Sequence, residues 1–280
     1  MNTVNQVFNW SRFTAALRKE LVESKHGILI TLLSIYGLLT MIMIIGNLIM
    51  STQLAFETMK AHYPTVFVVL SFTVCIAASL SFKKLTNKKG RIDIFTSPSS
   101  TLEKFTVNAL VYVLGFFVAF FICTQLADLT RIAVLWFFKD TLDIYVPGPI
   151  NFLNVLTSPF SIGDEEPFSQ GLSIILPLSL IASGGLFLMG SVLWPRLSVL
   201  KTFAALFGFQ LVLFILGTLG VAILGKSTFS EFLYKLTKVL AGAEFNYWSI
   251  AWYVIQILLF WGLGWLLFKR KDVISTKWWK

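Results

Sequence analysis

Charge is scarce in this sequence. Only 13% of its 280 residues are Asp, Glu, Lys or Arg, where a soluble globular chain carries about a quarter. Hydrophobic residues make up 56%, and the mean hydropathy is +0.77. This balance excludes a soluble fold, and an integral membrane protein is expected. The net charge of +9 does not point to nucleic acid. The cations sit between apolar runs, where they orient a chain in a bilayer. Cysteine is nearly absent: Cys75 and Cys123 both fall inside apolar runs. They read as small buried hydrophobes, so no disulfide or metal site is expected. The two histidines, His26 and His62, flank apolar runs. No His-Glu-x-x-His exists for a zinc protease, and no Gly-x-Ser-x-Gly elbow for a hydrolase. ATP hydrolysis through a phosphate loop is not expected of this chain. Asp164, Glu165 and Glu166 stand before Pro167 and read as a solvated turn. No catalytic residue, metal ligand or resident cofactor is assigned. The first 26 residues lack a continuous apolar core and a small-residue cleavage site, so no cleavable signal peptide is expected.

Long apolar windows are what the sequence has in quantity. Six are free of Asp, Glu, Lys and Arg, and each supplies the roughly 20 residues that cross a bilayer as helix. An all-α polytopic fold is expected, with spans at about 28–50, 63–82, 106–127, 171–193, 202–224 and 248–268. A further charge-free stretch, 144–163, holds Pro147, Pro149, Pro159 and Gly148. Prolines so close together break a helix repeatedly, so 128–166 reads as an irregular external segment. Within it, 132–138 is either an interfacial helix or an extension of the third span. Lys and Arg number 17 on one side of these spans and 6 on the other. Both termini are therefore expected in the cytoplasm of a multi-pass cell-membrane protein, with 269–280 as a basic cytoplasmic tail.

The spans hold no central titratable group, which argues against ion-coupled transport through such groups. Their polar residues are few: Asn47, Asn108, Gln125, Gln210 and Gln256. An interhelical hydrogen bond accounts for any one of them. Gln210 and Gln256 lie mid-span and are the best candidates for a substrate path. Ala204 and Gly208 form a small-residue pair that permits close helix packing.

Two cytoplasmic features stand out. In residues 1–26, Val7, Trp10, Phe13, Leu17 and Leu21 share one helical arc, with Arg12, Lys19 and Glu23 opposite. Such a helix lies in the interface plane, with Trp10 and Phe13 as anchors, or packs on a soluble partner. The loop from Lys83 to Phe105 carries six of the chain's 23 Lys and Arg. Ser97 suits a helix N-cap and Pro98 the first helical position. Ser100 and Glu103 have capping-box spacing. The loop suits docking to a partner, or only fixes topology as a solvated basic segment.

In sum, the pattern resembles a type-2 ABC transporter permease subunit of bacterial type. An amphipathic helix precedes six spans, and the first cytoplasmic loop ends in Phe95-Thr96-Ser97-Pro98-Ser99-Ser100-Thr101-Leu102-Glu103-Lys104-Phe105. That run is similar to the Pro-x-Ser-x-x-Glu-Lys-Phe segment beside the coupling helix of such permeases. The resemblance implies the membrane half of an exporter, paired as a homodimer or heterodimer. ATP and Mg would sit on a separate ATP-binding cassette ATPase chain. Ser97, Pro98, Ser100, Leu102, Glu103, Lys104 and Phe105 would couple to that chain, Leu102 and Phe105 as an apolar patch and Glu103 and Lys104 at its rim. The family often places short re-entrant helices between the fifth and sixth spans, whereas the longer external segment here follows the third. The rival reading is a non-transporting membrane scaffold or accessory subunit.

Overall fold

A computed structural model describes residues 8–50, 55–142, 146, 148–157, 169–224 and 245–271. It is all-α, with no strand among those residues. The helices are α1 (Trp10–Met50), α2 (Ala55–Leu80), α3 (Lys88–Thr96), α4 (Thr101–Ala109), α5 (Gly115–Leu142), α6 (Phe152–Thr157), α7 (Ser169–Leu193), α8 (Ser198–Leu224) and α9 (Phe245–Lys269). A 3₁₀ turn, Lys83–Thr86, precedes α3. Among the described residues six helical stretches are long and apolar enough to cross a membrane, so the chain is a multi-pass membrane protein. Serines and threonines in them donate to carbonyls of the preceding turn, as Thr40 does to Tyr36 at 2.7 Å and Thr124 to Phe120 at 2.9 Å. The hydroxyls that do so are satisfied without water, while those of Ser79, Ser198 and Thr202 are buried with no partner among the described residues.

Two helices run past the ends read from composition. α1 is a single helix of 41 residues, so residues 10–26 continue directly into the first span. A change from polar to apolar side chains changes the surroundings of a helix, not its backbone. No proline interrupts it, and Gly27 alone does not break it. Phe13 is buried against Val107 and Val111, while Trp10 is 69% exposed. The arc of this helix thus packs in part on its own chain. α4 and α5 are joined through a π-helical turn, Leu110–Leu114, and α5 continues to Leu142. The run 132–138 is therefore an extension of the third span's helix. Asp128 and Arg131 do not end that helix because they pair one turn apart, with Arg131 Nε 2.8 Å from Asp128 Oδ1.

α1 packs along α5, and α7 packs along both α2 and α9. Small residues on α7 permit this. A Cβ on Gly185 would lie 2.3 Å from the Trp261 ring of α9, and one on Gly190 would lie 2.1 Å from the Thr202 hydroxyl of α8. Gly208, by contrast, has nothing within 4 Å of a built Cβ, so close approach falls to α7 rather than to the Ala204–Gly208 pair. Gly185→Val is expected to destabilise the protein by about 1–3 kcal/mol through overpacking, and Gly208→Val by far less. Thermal unfolding of the two variants in detergent checks this, and equal midpoints would contradict the contact.

The end of α2, α3, the start of α4, the α7–α8 turn and the end of α9 share one end of the bundle. Thr86 Oγ1 donates to the Pro195 carbonyl at 3.0 Å, and Lys271 Nζ donates to the Val192 carbonyl. In the turn, Leu197 takes a left-handed conformation at φ 59°, which costs about 1–2 kcal/mol for a residue with a Cβ. The aromatic core of this end joins Phe82, Phe95, Phe105 and Phe268. Ring centroids are 4.9 Å apart for Phe82–Phe268, 5.8 Å for Phe82–Phe105 and 6.0 Å for Phe95–Phe268.

Candidate functional site

The site lies where α1, α3 and α4 meet, and its local order begins with Pro98. A residue before proline is pushed out of the helical region, and Ser97 is extended at φ −64°, ψ 142°. α3 therefore stops at Thr96, and the Ser97 hydroxyl donates to the Ile94 carbonyl at 3.0 Å. Ser97 closes α3 rather than opening a helix at Pro98. The next helix begins only at Thr101, capped by Ser100. The Glu103 N–H donates to Ser100 Oγ at 3.2 Å, and the Ser100 N–H to Glu103 Oε2 at 2.7 Å. The capping box read from the spacing is present.

The other oxygen of Glu103 reaches a second helix. Its Oε1 accepts the Asn9 N–H at 2.7 Å and Arg12 Nη2 at 3.2 Å. Asn9 in turn caps α1, its Oδ1 accepting the Ser11 N–H at 3.0 Å. One carboxylate thus serves two helix N-termini, where the backbone dipole favours negative charge. The Glu103 side chain is 0% exposed and that of Arg12 39%.

Beside this carboxylate lies a cleft of about 250 Å³ between α1, α3 and α4. Ion pairs cross it. Lys19 Nζ is 2.8 Å from Asp93, and Lys84 Nζ is 2.6 Å from Glu20 and 2.8 Å from Glu23. The Tyr112 hydroxyl donates to Glu20 at 3.3 Å. Burial alone would lower the Lys84 pKa, but the hydrogen bonds to Glu20 and Glu23 outweigh it and hold the ammonium above its ordinary value. A raised lysine pKa keeps the contribution of these pairs through neutral pH and loses it only as pH rises past that value. Lys104 Nζ turns back to the Ser97 carbonyl at 3.1 Å. The arrangement fastens α3 to α1 and α4. It offers no nucleophile–base pair.

The structure separates the coupling residues read from the sequence. Ser97, Ser100 and Lys104 are half-buried around the 97–100 link, with Pro98 exposed. Phe105 is 5% exposed and sits among Phe82 and Phe268, while Leu102 is half-buried. An apolar patch of Leu102 and Phe105 is therefore not presented outward, and Glu103 is no rim residue. The outward face belongs to α3. Lys88, Lys89, Ile92 and Thr96 are exposed, Ile92 at 42%. Positions 88, 92 and 96 repeat at i, i+4, and this spacing was the signal in the sequence.

Elsewhere, Gln210 is exposed on α8 and Gln256 is half-buried on α9. Neither lines the cleft. The string Gly-x-x-x-x-Gly-Lys-Ser does occur, at Gly220, Gly225, Lys226 and Ser227. A phosphate loop needs a strand, an open loop and then a helix. Here apolar α8 runs unbroken from Ser198 to Leu224, and Gly225 to Ser227 lie outside the described residues. Among the described residues no group of three His, Cys, Asp or Glu is placed to hold a metal. The acidic run at 164–166 and the tail at 272–280 also lie outside them. Compared with protein-family models, curated proteins and solved structures, the chain matches none.

Proposed function

We propose that this chain is the membrane subunit of an ATP-driven exporter, moved by a separate ATP-binding cassette ATPase that docks on α3. One observation carries the reading: α3 has an outward face and an inward wedge. Outward, Ile92 stands among Lys88, Lys89 and Thr96. Such a face fits an apolar socket rimmed by carboxylates. Inward, Phe95 stacks on Phe268 of α9, which meets Phe82 at the end of α2 and Phe105 of α4. A push on α3 therefore bears on the helices of three spans at once. The Lys19–Asp93 pair carries it from α3 to α1 as well, and Lys84 of the preceding turn adds its pairs with Glu20 and Glu23.

In this reading α3 and both termini face the cytoplasm of a cell-membrane protein. The lysine and arginine asymmetry supports that orientation. A second permease chain, identical or related, would complete the path. Gln210 supports pairing, because a glutamine exposed on an apolar helix gains from a partner's hydrogen bond.

The test is co-expression with a candidate ATP-binding cassette ATPase from the same genome, followed by nanodisc reconstitution. Ile92→Asp is expected to weaken ATPase binding about tenfold or more and to abolish stimulated hydrolysis. Lys88→Glu with Lys89→Glu should weaken binding most at low salt. Leu102→Ala should leave both unchanged. Native binding and stimulation in Ile92→Asp would overturn docking at α3.

A further inference from the structure

At the other end of the bundle the chain makes a short inward excursion. Asp128 lies about 40 Å along the helix from Thr101. Residues 148–151 lead into α6, a helix of six residues. Ile150, Phe152 and Val155 are 2%, 9% and 0% exposed. They complete a core made by Leu39 and Met43 of α1, Val66 and Leu70 of α2, Phe120 of α5 and Leu180 of α7. The segment plugs the space between helices that span the membrane.

Two side chains on α5 hold its leading end. Asp128 Oδ2 accepts the Ile150 N–H at 2.7 Å, and Arg131 Nη2 donates to the Gly148 carbonyl at 2.8 Å. Both grips are on backbone. Asp128 and Arg131 are 1% and 0% exposed, so their pairing is made out of water. Yet the closed arrangement leaves polar atoms unmatched. Arg131 Nη1 and His62 Nε2 are buried with no hydrogen-bond partner among the described residues. Such atoms raise the energy of the closed state and bring an open one nearer to it. Room to move lies alongside, in an open groove of about 410 Å³ where Phe121 and Gln125 of α5 face Asn151 and Leu153. Pro149, just before the helix, keeps α6 from extending backwards as helix.

We infer that residues 148–157 form a gate over this end of the interhelical core, and that the Asp128–Arg131 pair is its latch. Its purpose, release of an exported molecule, rests on the transport reading. Its motion does not, and can be measured without ATPase or substrate. The experiment is hydrogen exchange on the full chain in lipid nanodiscs, read by mass spectrometry. In the unmodified protein, 148–157 should exchange at least tenfold faster than 180–192 of α7. Arg131→Lys keeps the charge but removes the planar fork that spans Asp128 and Gly148. It should speed exchange of 148–157 a further tenfold and leave 180–192 unchanged. Asp128→Asn, a second variant of unaltered size, should do the same. Equal exchange of the two regions in the unmodified protein would overturn the gate. So would variants that speed both together, which would make the pair a fastening of the whole bundle. Unchanged exchange of 148–157 in both variants would overturn the latch. Any of these results leaves docking at α3 standing, and failure of docking leaves the exchange result standing.

Discussion

Glu103→Ala is expected to destabilise the protein by about 2–4 kcal/mol, since each part-buried donor left without an acceptor costs about 1–3 kcal/mol. The N–H groups of Asn9 and Ser100 and the guanidinium of Arg12 all lose their acceptor together. Water reaches Arg12, whose side chain is 39% exposed, so most of the cost falls on the two amides. Glu103→Gln keeps an acceptor oxygen for one of them and should lose about half as much. Arg12→Ala should cost about 1 kcal/mol, because the lost partner is partly exposed and Glu103 keeps the N–H donors of Asn9 and Ser100. The measurement is thermal unfolding in detergent followed by tryptophan fluorescence. A midpoint for Glu103→Ala equal to that of Arg12→Ala would show that the carboxylate does not join two helix starts.

Phe105→Ala should cost about 3–5 kcal/mol, the range for emptying a buried aromatic site. The ring contacts Phe82 and Phe268 with centroids at 5.8 and 6.2 Å. It also lies under Gly264, where an added Cβ would be 3.3 Å from it. Leu102→Ala, on the half-buried side of the same turn, should cost about 1 kcal/mol or less. The same unfolding assay separates the two. A nearly native Phe105→Ala would return this side chain to the surface and restore it as a contact for another chain.

The membrane-crossing helices were legible because lipid demands long apolar helices whatever the rest of the chain does. The capping box was legible because Ser100 and Glu103 are three residues apart and need nothing else. The second oxygen of Glu103 was not, since its partner Asn9 is 94 residues away. Nor was the inward turn of Phe105, which depends on a ring at the end of α9. Pro98 was read as a helix start for its fixed φ, but its steric effect on Ser97 prevailed and ended α3 instead. Asp128 and Arg131 looked like the edge of an external segment because charge usually marks one. Their mutual pairing at 2.7 Å lets the helix carry them inward.

The unbroken length of α1 has a mechanical consequence. Its 41 residues make a rod of about 60 Å, twice the thickness of a hydrocarbon core. About 25 Å of it separates Trp10 from Gly27. A tilt of about 5° within the bilayer would swing that tip by about 2 Å, more than a hydrogen bond tolerates before it is lost. With the tip hooked to Glu103 at 2.7 Å, α1 acts as a lever whose short angular travel must be shared by α4. Neither helix pivots alone, and a small rotation among the lipids becomes an ångström-scale stroke at the surface of the membrane.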